Sequence, residues 1–78
     1  MDLRQTLAAN VVRLRRAKGW SQEALAHEAG VNRSYLAKLE TARPYAGLEV
    51  LGKLAEALEA EPAELLRRSG EKEAFGGR

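Results

Sequence analysis

A chain of 78 residues sets the scale of one domain, and one so short buries only about 60% of the surface its unfolded form exposes. It has no cysteine, which excludes disulfides and thiolate metal sites. The formal net charge of +2 is too small to mark a nucleic-acid binder by itself, but it is unevenly spread: residues 1–46 carry eight Lys and Arg against four Asp and Glu, and residues 47–78 carry five against seven. That split suits a basic nucleic-acid-facing half and an ordinary mixed surface about equally. Two prolines, 45% apolar residues and no strand-like alternation predict an all-α fold. The start, MDLRQTLAAN, is expected to be neither a signal peptide nor a membrane anchor, because its uncharged apolar runs are too short. A cytoplasmic location is the expectation that fits.

In chain order, Asp2 begins the first helix, with Gln5 three residues on as in a capping box. Leu3, Leu7, Val11 and Leu14 follow at helical spacing and define a buried stripe. Arg4, Arg13, Arg16 and Lys18 lie mostly off it. Gly19 ends this helix, with Lys18 well placed for its dipole. Trp20 stands before the second helix.

Residues 22–40, QEALAHEAGVNRSYLAKLE, predict two short helices joined by a tight turn. Ser21 can cap the first with its side-chain oxygen. Leu25, Ala26 and Ala29 fall on one face. Gly30 stands where a left-handed residue must leave the helix. Val31 plugs the corner, and Asn32 can cap the second helix. Leu36 and Leu39 supply its inward face. The outward stripe is then Arg33, Ser34, Ala37, Lys38 and Thr41.

Gln22, Leu25-Ala26, Ala29-Gly30-Val31, Leu36 and Leu39-Glu40 together resemble a helix-turn-helix of the phage repressor and Cro (XRE) type. The resemblance runs from about residue 3 to residue 68. The stretch NRSYLAKLE is most similar to the second helix of restriction–modification controller proteins. The resemblance implies a compact five-helix domain like that of lambda repressor, with helices 2 and 3 as the helix-turn-helix. It implies that Arg15, late in the first helix, pairs with Glu40, which ends the recognition helix. As a partly exposed pair it is expected to add only about 1 kcal/mol; two independent surface charges are the alternative. It also implies an apolar, core position for Trp20 rather than a stacking platform for bases.

Past Glu40 the sequence TARPYAG marks a loop through Pro44 and Gly47. Its spacing departs from the commonest family pattern, since Pro44 precedes Leu48 by four residues. Arg43 and Tyr45 are candidates for phosphate contact or for plain exposure. Leu48, Leu51, Leu54, Ala55 and Leu58 predict the stripe of a fourth helix. Gly52 inside it costs about 1 kcal/mol relative to alanine unless close packing requires it. Glu61-Pro62 opens a short fifth helix, with Glu64 in its first turn. Leu65 and Leu66 point about 100° apart, so only one can finish the core. Residues 1–68 are therefore expected to form the domain and residues 69–78, SGEKEAFGGR, a flexible tail; a docked Phe75 is the alternative.

Catalytic and cofactor chemistry finds no support. His27 is the only histidine, without a ligand cluster around it. Ser21 and Ser34 lack an activating histidine and acid. Gly76-Gly77 is not a phosphate-cradling loop, and no nucleotide motif is present. The expectation is no enzyme, no metal, no cofactor and no small-molecule ligand.

The expected function is sequence-specific binding of double-stranded DNA by a transcriptional regulator, with helix 3 in the major groove. Arg33 is the leading base reader, since guanidinium matches guanine's two major-groove acceptors. Ser34 and Lys38 share its face. Tyr35 is borderline, its ring packing beside the turn. Ser21, Gln22 and Asn32 are expected at phosphates, with Arg43 and Tyr45 the loop candidates. A homodimer on a palindromic operator is expected, meeting through Val50, Leu54, Leu65 and Leu66. The alternative is a protein-binding adaptor or antitoxin component built on the same fold.

Overall fold

Local signals set each helix boundary. In the computed structural model, which describes residues 2–42 and 46–68, α1 (Leu3–Ala17) starts on Asp2, whose carboxylate accepts from the amides of Arg4 and Gln5. The Gln5 side chain returns the contact by accepting from the Asp2 amide at 3.0 Å. In α2 (Gln22–Ala29), Ser21 Oγ accepts from the amide of Ala24 at 3.0 Å. Gly30 then takes φ +70°, the left-handed conformation that a side chain resists, and turns the chain into α3 (Arg33–Leu39). Asn32 Oδ1 caps α3 by accepting from the amide of Tyr35 at 3.1 Å. A fourth helix, α4 (Leu48–Leu58), ends on Glu59, which adopts φ +57° without being glycine. The short α5 (Pro62–Leu65) begins with proline, where the missing N–H costs nothing, and Glu64 accepts from the Glu61 amide at 2.9 Å.

The five helices share one core. Helix α4 packs on α2, α5 and α1, while α2 also packs on α3, and α1 on α5. Val11, Leu25, Leu36, Leu54 and Leu65 are wholly sequestered at its centre. One polar side chain joins them: Asn10, buried on α1, donates from Nδ2 to the carbonyls of Glu64 (3.2 Å), Leu65 (2.8 Å) and Arg67 (3.0 Å). This fastens the last turn of the domain to the first helix.

Several apolar expectations need correcting. Leu54 and Leu65 are fully buried within one chain, so neither is available to a second subunit. Leu54 faces inward because α4 is packed on several sides; Leu65 is the one of the leucine pair that completes the core. Val50 and Leu66 are half-buried but lie apart. Val50 borders a depression beside the α2–α3 turn, and Leu66 lines a groove with Leu3 and Leu48. The four residues expected at a dimer interface therefore do not form one patch. Leu3 and Leu48, expected in buried stripes, are 48% and 86% exposed. Each is the first residue of its helix and overhangs the edge of the core. Gly52 is exposed, and a Cβ there would meet nothing within 4 Å, so packing does not explain it. Arg43, Tyr45 and the expected tail at 69–78 lie outside the described residues.

Candidate nucleic-acid interface

The outer side of α3 is polar and open. Arg33, Ser34, Lys38 and Thr41 are all exposed. At about 100° per residue they share one side of the helix. Arg33 and Lys38 have no ion-pair partner among the described residues. Tyr35 sits beyond the edge of this stripe. It is half-buried, packs against the core, and borders the depression formed with Gly30, Val31 and Val50.

A compact network holds α3 in place. Arg15 Nε donates to Glu40 Oε2 at 2.8 Å, and Nη2 to Oε1 at 3.0 Å. Its Nη1 donates to the carbonyl of Trp20 at 2.8 Å. Gln22 Nε2 donates to Glu40 Oε1 at 2.9 Å. The Glu40 carboxylate thus ties together the end of α1, the start of α2 and the end of α3, and Arg15 adds the linker at Trp20. The side chains of Arg15 and Glu40 are only 11% and 5% exposed, against the partly exposed pair expected from sequence. They are covered where the end of α1, the start of α2 and the end of α3 converge. Hydrogen bonding to Glu40 raises the Arg15 guanidinium above its ordinary value, outweighing the opposing effect of burial.

The start of α2 adjoins this network. Ser21 Oγ accepts the capping bond and so keeps its hydroxyl hydrogen for another acceptor. Gln22 commits one amide hydrogen to Glu40 and keeps the other. Asn32 uses Oδ1 for its cap. Trp20 is half-buried against the core, with Lys18 Nζ 5.1 Å from its ring centre. Helical spacing alone does not reveal the links from Gln22 to Glu40 and from Arg15 to the Trp20 carbonyl. The trace that the Gln22 link leaves in sequence is a polar residue placed directly after a helix cap.

Among the described residues no cluster of His, Asp or Glu could hold a metal ion, and His27 is exposed. No described helix is long and apolar enough to cross a membrane.

This arrangement has close relatives. The helix-turn-helix family model matches residues 11–65. A hypothetical transcription factor from Neisseria meningitidis is 42% identical over 65 residues, covering 83% of this chain and 61% of that protein. The Neisseria crystal structure superposes with a TM-score of 0.88 at 38% identity, over 95% of this chain and 85% of that one. The restriction–modification controller C.AhdI of Aeromonas hydrophila superposes with a TM-score of 0.76 at 40% identity, over 80% and 94% of the two chains. Control protein C.SmaI of Serratia marcescens is 37% identical over 76 residues, covering 97% of this chain and 90% of that protein. The chain thus spans about three fifths of the Neisseria protein's length and nearly all of the controller proteins. With an open polar stripe on α3, a left-handed Gly30 turn and a family match over most of its length, the chain belongs to the helix-turn-helix family of DNA-binding transcriptional regulators of the repressor and Cro type.

Proposed function

We propose that the chain regulates transcription by reading a palindromic duplex as a symmetric dimer, with α3 of each subunit in the major groove. The observation that carries this reading is the exposed, acid-free stripe of Arg33, Ser34 and Lys38 on a helix locked by the Arg15–Glu40–Gln22 network. Arg33, in the first turn of α3, is the base reader, suited to the O6 and N7 acceptors of guanine. Ser34 and Lys38 extend the readout, and Tyr35 meets the edge of the groove from its seat beside the turn. Ser21, Gln22 and Asn32 give their remaining hydrogens to phosphates, fixing the register of α3. Arg43 and Tyr45, which lie outside the described residues, are further candidates for phosphate by their place in the chain.

One recognition helix reads too few base pairs to select a site in a genome, which favours two-fold pairing with half-sites about 34 Å apart. The apolar surface available for pairing is the groove of Leu3, Ala46, Leu48 and Leu66, not the buried Leu54 and Leu65. Two copies meeting there bury leucines that a single chain leaves in water.

Duplexes selected from a random pool provide the test. Arg33→Ala should cost about 1–3 kcal/mol of discrimination between the selected site and random DNA. Equal weakening on both would make Arg33 a phosphate contact. Sedimentation of wild type and of Leu48→Lys should show a dimer dissociating in the variant; a wild-type monomer at high micromolar concentration refutes the pairing.

A further inference from the structure

We infer that Arg13 and Arg16 form a second phosphate-binding edge, with which the flank of α1 grips the DNA backbone beyond the end of α3. This rests on the DNA-binding reading above and extends it to a helix outside the helix-turn-helix.

A groove runs between α1 and the turn that leaves the recognition helix. One wall is a single stripe of α1 that includes Ala8, Ala9, Val12, Arg13 and Arg16; the other is formed by Glu40 to Ala42. The groove therefore continues from the last turn of α3, where a nucleic-acid strand tracking that helix would run. Arg13 and Arg16 are exposed and have no ion-pair partner among the described residues. They stand three residues apart, so their side chains are neighbours on the helix surface. Arg13 is steered by donating from Nη2 to Asn10 Oδ1 at 3.3 Å, which leaves its other hydrogens outward.

Charge within the groove favours an anion. Its one carboxylate among the described lining residues, Glu40, already has its charge paired with Arg15 and also accepts from Gln22. The two arginines are thus uncompensated. Ala8 and Ala9 add little bulk to the α1 wall, so a strand can approach the arginines. A phosphate backbone satisfies the two cations without any base-specific contact.

The test is the salt dependence of binding, measured on the selected duplex and on random DNA. Removing one phosphate contact should make the slope of log affinity against log salt shallower by about 0.9. The double variant Arg13→Ala/Arg16→Ala, which removes two such contacts, should make the slope shallower by about 1.8, with equal weakening on both DNAs. Lysine at both positions should restore most of the slope. Arg16→Ala alone, which leaves the Arg13–Asn10 bond intact, should show half the change with an unaltered melting temperature. Lys53→Ala, on α4 and away from this groove, should keep the wild-type slope. A wild-type slope in the double variant, beside salt-dependent binding by the wild type, overturns this inference alone. So does an equal decrease in Lys53→Ala, which would make net charge the cause. A wild type without salt-dependent binding overturns both this and the DNA-binding reading.

Discussion

Replacing Glu40 by glutamine tests how much of the domain depends on one carboxylate. The substitution keeps size and shape but removes the charge. Arg15 then remains 11% exposed at its side chain, facing a neutral amide. Removing one partner of a covered ion pair typically costs about 3–5 kcal/mol, because the other charge is left without compensation. The low end, about 3 kcal/mol, applies here, since glutamine still offers one acceptor and Arg15 keeps the Trp20 carbonyl. A domain of this size has a total stability of roughly 4–12 kcal/mol. At about 4–8 °C per kcal/mol, the melting temperature should fall by roughly 12–24 °C. Thermal and urea unfolding followed by circular dichroism would measure it. The double variant Arg15→Met/Glu40→Leu should recover much of that stability, because no charge is stranded. A cost below about 1 kcal/mol for Glu40→Gln, the range of solvent-screened surface pairs, would refute this view of the network.

Three further outcomes follow from single contacts. Asn10→Ala should lower stability by about 2 kcal/mol by leaving the carbonyls at the end of α5 without a donor, and Asn10→Asp should cost more, because a carboxylate would face those oxygens; urea midpoints would rank the two. Gly52→Ala should stabilise by about 1 kcal/mol, since the position is helical, exposed and open to a Cβ; an unchanged melting temperature would contradict it. The Asp2 carboxylate is held below its ordinary value, chiefly by its hydrogen bond from Arg4. Its contribution is therefore fully present above the ordinary carboxylate range and is lost as pH falls through the lowered folded-state value. Asp2→Asn should flatten the acid limb of the stability profile, which melting curves from neutral to strongly acidic pH would register.

The helices were legible because each carries its own punctuation. Asp2, Ser21 and Asn32 precede their helices as side-chain caps, and Gly30 turns left-handed where the pattern breaks. What periodicity could not supply was depth. It assigns a residue to a face, but how far a neighbouring helix reaches along that face is a tertiary matter. Leu3 and Leu48 fit their stripes and still overhang the core, while Leu54 is enclosed by surrounding helices. The leucine pair was readable only as a choice, which the structure makes in favour of Leu65. The candidate DNA face was legible on α3 itself, since its stripe follows from helical spacing alone. The groove beside α1 was not, because it brings residues 8–16 to residues 40–42 across the fold. Asn10 left a signal that could have been used: it lies three residues after Leu7 and four before Leu14, a polar side chain in an inward position.

The bonds from Asn10 to residues 64–67 also bear on how the molecule is made. They join residues 54 to 57 positions apart, so α1 is fastened only after residues 64–67 have been made. Until residues 64–67 have emerged, Asn10 has no carbonyls to donate to and α1 lacks the α5 part of its packing. Local turns such as the one at Gly30 can form early, whereas closure must wait for a long loop to be ordered. The same geometry brings both ends of the domain to one side of the molecule. A permuted chain in which a short linker joins residue 68 to residue 2, with new ends opened in the loop after α3, would make α5 and α1 consecutive. Such a chain should close faster than the natural one while keeping the same core.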